Sequence, residues 1–317
     1  MADAGRYVFR ASKDAHAQLT RLFDFIHPTA IAMWNLRWQV QGFLANVPNA
    51  SSKELGYRFA LGTDLNAGAL KRSTVETPWT DQLERFASII LITTISIFED
   101  FTDSIASGCS HNREHRERFA KALQFPSRNG TDAVSLAGNR SFVMDRAVMW
   151  DEAILRRYLP SGSDDLLKCY RFFKEVRNAL AHNGGRANQR MVDAYKIFAD
   201  AIKDDRIGGA AVPDHSPISN VGDVVKITYR GVVGFSEIVL RIITYYDLTL
   251  CEYELVEHEL KMRLTPDIRF WPSDEKAKLH RIGAMFRSQN FPSVTVTTNL
   301  RNFLFAHNLI PGYAASR

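Results

Sequence analysis

The feature that most restricts the fold of this chain is the run from Asp81 to Ala106. Leu83, Phe86, Ile90, Ile97, Phe101 and Ile105 recur at helical spacing and make one side almost wholly apolar. Thr77-Pro78-Trp79-Thr80-Asp81 supplies a helix start before it, and Gly108 a stop after it. A helix of that length with one oily stripe is stable only against other helices, which predicts a helical bundle with this element at its centre. Its most apolar part, Phe86 to Phe98, spans 13 residues and includes Ser88, Thr93, Thr94 and Ser96. A membrane helix needs about 20 apolar residues, so no membrane span is expected here.

A second helix is equally well specified. Ser163 is placed to cap it, and Asp164 and Asp165 put negative charge where backbone N–H groups lack partners. Leu166, Cys169, Phe173, Val176 and Leu180 form its buried stripe, and Asn183-Gly184-Gly185 ends it. Just before that stop stands Arg177-Asn178-Ala179-Leu180-Ala181-His182. Asn178 and His182 are four residues apart, so their side chains can meet. Arg177 and His182 are five apart, about 140° around an ideal helix. They converge on one phosphate only if the helix ends at His182 or a second subunit brings its own pair opposite. A helix C-terminus also favours imidazolium, which suits a histidine that both gives and takes a proton.

This motif resembles that of the HEPN ribonucleases: an arginine, a polar residue, a short gap and a histidine at a helix end. The resemblance covers at most residues 80 to 206. It implies a four- or five-helix bundle that dimerises so that two motifs face one RNA-cutting cleft. It further implies metal-independent cleavage, in which the ribose 2′-hydroxyl attacks the adjacent phosphate and leaves a 2′,3′-cyclic phosphate. By the resemblance, His182 is the general acid and base and Arg177 holds the phosphate. Asn178 orients the histidine or caps the helix end. Neither a metal nor a cofactor is implied. Relatives of this kind often serve as toxins or antiviral defence effectors, which makes an antitoxin or regulator a further expected partner. Bundles of the family without catalysis also exist, so a dimeric binding or scaffold module, or a nucleotide-binding partner of another enzyme, stands as the rival reading.

Other residues can be set around this motif. Glu99 follows Leu91 and Ile95 along the central helix, at the margin of its buried face. A carboxylate there requires a partner, for which Arg177 or His182 is suitable, unless it is solvated beside Asp100 and Asp103. Arg186 and Arg190 lie just past the glycines and suit RNA backbone, or are plain exposed cations. Trp34, Arg37, Trp38 and Gln41 could stack on bases, but tryptophans at helical spacing are more often core. His111 and His115 have a metal-ligand spacing without an evident third ligand. Arg301-Asn302-Phe303-Leu304-Phe305-Ala306-His307 echoes the motif, but Pro311-Gly312 follows it instead of a helix, which favours packing.

The whole chain of 317 residues has a net charge of +5, which is compatible with a phosphate-rich partner without demonstrating one. Three scattered cysteines imply no disulfide framework or metal site, and the first ten residues lack a signal-peptide pattern. A reducing, cytoplasmic setting is expected.

The expected organisation is mainly α. Residues 1–78 form a helical extension, in which a helix from Ser12 to about Ile26 ends and another starts at Pro28. Residues 79–208 form the HEPN-like helical bundle, including a helix over Asp145–Leu159 and one over Ala187–Ile207. A linker over 209–220 leads to a smaller C-terminal α+β unit over 221–317, with strands at Asp223–Arg230 and Val294–Thr298.

Overall fold

The computed structural model describes residues 7–63, 67–109, 112–125, 133–144, 163–267 and 271–311. It is mainly helical. The helix expected over Asp145–Leu159, His111 of the histidine pair, and Gly312 lie outside the described residues.

The expected central element is α3 (Trp79–Cys109), preceded by α1 (Arg10–Asn46) and α2 (Ser52–Phe59) and followed by α4 (Arg113–Gln124). The motif helix is α5 (Asp164–His182), and α6 (Gln189–Asp200) comes next. A two-residue hairpin pairs β1 (Arg206–Ile207) with β2 (Ala210–Ala211). The chain then forms α7 (Tyr229–Leu250), α8 (Leu255–Arg263), α9 (Glu275–Ser288) and α10 (Thr298–Ala306).

Three helices make the centre. α3 buries Ile90, Leu91, Ile95, Phe98 and Phe101, and α5 buries Leu166, Cys169, Tyr170, Phe173 and Val176. α7 packs against both and is buried on every side from Ile242 to Leu250. Phe235 stacks on Phe173 with centroids 4.6 Å apart, and the hydroxyls of Thr94 and Ser236 meet at 2.9 Å across the α3–α7 contact. One hydrophobic core therefore runs from Val8 to Ile310. The segment 221–317 contributes its longest helix to that core, so it is not a unit with a core of its own.

The strands expected at Asp223–Arg230 and Val294–Thr298 are not formed. The first is extended chain laid against the residues just beyond the motif. Ala187 N–H donates to Asp223 O at 2.9 Å and Val225 N–H to Gly185 O at 2.9 Å. Val225 and Ile227 are buried, which explains the strand-like alternation. The expected linker 209–220 is likewise fixed. Gly231, in the first turn of α7, has no room for a side chain, because a Cβ there would fall 2.1 Å from Asp214 O.

α1 corrects two further expectations. It passes through Pro28 unbroken, and Thr29 Oγ1 donates to Phe25 O at 2.7 Å beside the missing N–H. Ser12 is not its cap. The helix start is held instead by a buried carboxylate of α7, since Asp247 accepts from Val8 N–H at 2.9 Å and Phe9 N–H at 3.0 Å. The far half of α1 projects beyond the main core and carries only a satellite cluster around Val40, Ala50 and Leu55. Trp34 and Trp38 are consequently 38% and 59% exposed, not core.

Two outcomes follow from this packing. Gly231→Ala should destabilise the fold by about 1–3 kcal/mol, because the clash is with backbone, and chemical denaturation reads it directly. Burial pushes the Asp247 carboxyl from 3.8 up to about 7, against the pull of the Val8 and Phe9 N–H donors. The folded protein thus binds a proton that the unfolded chain has released, and the stability contributed falls as pH rises from about 4 to about 7. Asp247→Asn, which cannot ionise, should lose stability relative to wild type as pH is lowered through that window, measured by paired urea melts.

Candidate functional site

α5 ends where the motif requires. Its last helical residue is His182, followed by Asn183 at the C-cap and by Gly184 and Gly185 with φ of +59° and +72°. Asn183 N–H and Gly185 N–H both donate to Ala179 O at 3.0 Å, closing the helix end. The returning chain at Asp223–Val225 backs this turn. His182 is exposed at the helix C-terminus and makes no hydrogen bond to another described residue.

Arg177 points to the other side of the helix, into the α3–α5 seam. Its Nη2 donates to Glu99 Oε1 at 3.2 Å, as expected for one of the two partners assigned to that carboxylate. The Arg177 side chain is 23% exposed, and its Nε is buried without a partner among the described residues. Glu99 Oε1 also takes Lys174 Nζ, closer still at 2.8 Å. Lys174 donates in addition to Gln124 Oε1 at 3.0 Å, Gln124 Nε2 to Thr102 Oγ1 at 2.7 Å, and Thr102 Oγ1 to Glu99 O at 2.8 Å. One partly buried carboxylate thus carries two cations, and a side-chain chain from α4 fixes the tighter one.

Asn178 does not reach His182 with a hydrogen bond. Its Nδ2 donates to Glu175 Oε2 at 3.4 Å. Glu175 is only 4% exposed, and its other oxygen is held by Arg171 Nη2 at 2.6 Å, so the carboxamide satisfies the remaining acceptor. Asn178 is a tie to a buried ion pair and not a direct brace for the histidine. Arg186 is exposed and donates through Nη1 to Gly222 O at 3.0 Å, on the returning chain; Arg190 is exposed on α6.

The charge of this surface is mixed. Arg171, Lys174 and Arg177 stand against Glu99 and Glu175, three cations to two carboxylates. The α3 margin continues with Asp100 and Asp103, and burial together with the charges of Asp100 and Glu99 raises the Asp103 carboxyl. Tyr170, under Lys174, is fully buried with its hydroxyl unpartnered among the described residues, and burial followed by the Glu99 charge pushes its phenol up.

Lys174, Glu175 and Gln124 were not singled out from the sequence. One signal was present: Lys174, Asn178 and His182 lie at i, i+4 and i+8, on one stripe of α5. The partners of Glu175 and Gln124 depend on packing and left no such trace.

The motif echo at the C-terminus is built into packing. Arg301 pairs with Glu275 of α9, Phe303 is buried, and His307 packs on the Phe303 ring with centroids 4.6 Å apart. His115 lies beside Leu136 O at 3.2 Å and Cys109 Sγ at 3.8 Å. Among the described residues no helix is long and apolar enough to cross a membrane.

No family model matches this chain, and no curated protein or solved structure matches it either.

Tyr170→Phe should leave the fold unharmed or stabilise it by about 1 kcal/mol, because it removes a buried hydroxyl with no partner among the described residues. Thermal and urea unfolding of the two proteins side by side would check this.

Proposed function

We propose that the chain is a metal-independent RNA endonuclease of the HEPN type, acting as a homodimer. The observation that carries this reading is the position of His182: an exposed imidazole, without a hydrogen bond among the described residues, at the last residue of α5, with a guanidinium five residues earlier. Exposure leaves it accessible to substrate and to water for proton exchange, which general acid–base work requires. In the proposed reaction one His182 takes the proton from the ribose 2′-hydroxyl, and the oxygen attacks the adjacent phosphorus. The 5′-oxygen leaves with a proton from an imidazolium, which the second subunit's motif supplies, and a 2′,3′-cyclic phosphate remains. Arg177 balances charge on the phosphorane. Glu99 holds Arg177 in position in the free protein, Asn178 steadies the helix end through Glu175, and Arg186 and Arg190 add phosphate contacts along the approach. A role as a toxin or antiviral defence effector, restrained by an antitoxin or other regulator, follows from the same reading.

The rival is a non-catalytic dimeric module or a nucleotide-binding partner of another enzyme. The Glu99–Arg177 pair favours it to the extent that it is a structural tie between α3 and α5.

His182→Ala should lower cleavage of tRNA or mRNA in EDTA by about 10²–10⁴-fold with an unchanged thermal melt. The wild-type products should carry 2′,3′-cyclic phosphate ends. Equal cleavage by the variant would remove the assignment.

A further inference from the structure

We propose that Glu99 is an internal stand-in for the substrate phosphate, and that Lys174 is the counter-ion that lets Arg177 leave it. The proposal rests on the RNA-binding reading above and specifies how that site is kept closed before RNA arrives.

The geometry is asymmetric. Both cations meet the same oxygen, Glu99 Oε1, but Lys174 is at 2.8 Å and Arg177 at 3.2 Å. Lys174 is fixed from further sides: Gln124 Oε1 accepts from it at 3.0 Å, and its ammonium lies over the rings of Phe125 and Tyr170 at 5.3 Å and 5.8 Å. Among the described residues Arg177 has only Glu99 as a side-chain partner, through one nitrogen, and its buried Nε has none. A guanidinium prefers to engage two oxygens of an oxyanion at once, and a phosphodiester offers them. Phosphate therefore competes with Glu99 for Arg177 on favourable terms.

That exchange would strand a partly buried carboxylate if Arg177 were its sole partner, and a stranded charge there opposes the exchange. Lys174 removes this obstacle, because Glu99 stays paired after Arg177 has turned away. Lys174 is thus a positioning residue that acts through Glu99 and does not itself touch RNA.

The test is a two-residue cycle read by fluorescence anisotropy with a 2′-O-methyl oligoribonucleotide, which cannot be cut by 2′-hydroxyl attack. Glu99→Gln should bind this RNA more tightly than wild type and show a salt dependence steeper by about one phosphate contact. Lys174→Met should bind more weakly, and Lys174→Arg like wild type. The double variant should bind like Glu99→Gln, since a neutral amide needs no counter-ion. If Glu99→Gln does not tighten binding, or the double variant falls to the level of Lys174→Met, the lock is overturned while the endonuclease reading stands. If wild type binds no RNA at all, that reading fails and the lock with it. Should Lys174→Met not fold, the sign of the Glu99→Gln effect decides alone.

Discussion

Everything in this molecule depends on covering two apolar stripes with one helix. α3 and α5 each carry a face too oily for water, and the two helices cover little of each other's. α7 supplies what is missing. Burying a large apolar side chain is worth about 1.5–3 kcal/mol, and α7 from Ile242 to Leu250 is buried on every side. Phe235 lies against Phe173 and Tyr170 of α5 while Ser236 meets Thr94 of α3. This clamp sets how α3 and α5 sit beside each other. The seam between them, where Glu99 faces Lys174 and Arg177, is a consequence of it.

The same clamp explains why the candidate site divides into two parts with different surroundings. Arg177 lies on the side of α5 turned toward α3, partly withdrawn from water, where a charge must be matched. His182 lies two residues before the glycines, where α5 ends. A charged network with a fixed geometry therefore adjoins an exposed imidazole. Lys174 and Glu175, one facing α4 and the other Arg171 and Asn178, keep the network in register without reaching the imidazole.

How much of this could be read beforehand depends on the range of the interaction. The course of α5 and its stop at Gly184-Gly185 were legible, because periodicity and the freedom of glycine at positive φ are local. Glu99 was legible as a carboxylate in need of a partner, since its helical phase put it at the edge of a buried face, and Arg177 is one of its two partners. Asn178 was misassigned, because nothing in its own neighbourhood announces that Glu175 is buried. Pro28 was read as a break because a lone helix is weakened there, yet α1 continues through it. Residues 223–230 alternate as a strand does, but they alternate because Val225 and Ile227 plug a helical core.

The sequence by itself determined that the chain is mainly helical, where α3 and α5 lie, and that an arginine, an asparagine and a histidine stand in the last two turns of a helix. These are consequences of spacing and of backbone preference, which act over a few residues. Only the tertiary structure decided that the C-terminal segment belongs to the same core, that Glu99 holds two cations, and that the tryptophans of α1 face outward. Those outcomes hinge on which surfaces meet. Hydrophobic burial is non-directional and a charge accepts any suitable partner, so the pairing is settled only when the whole chain has packed.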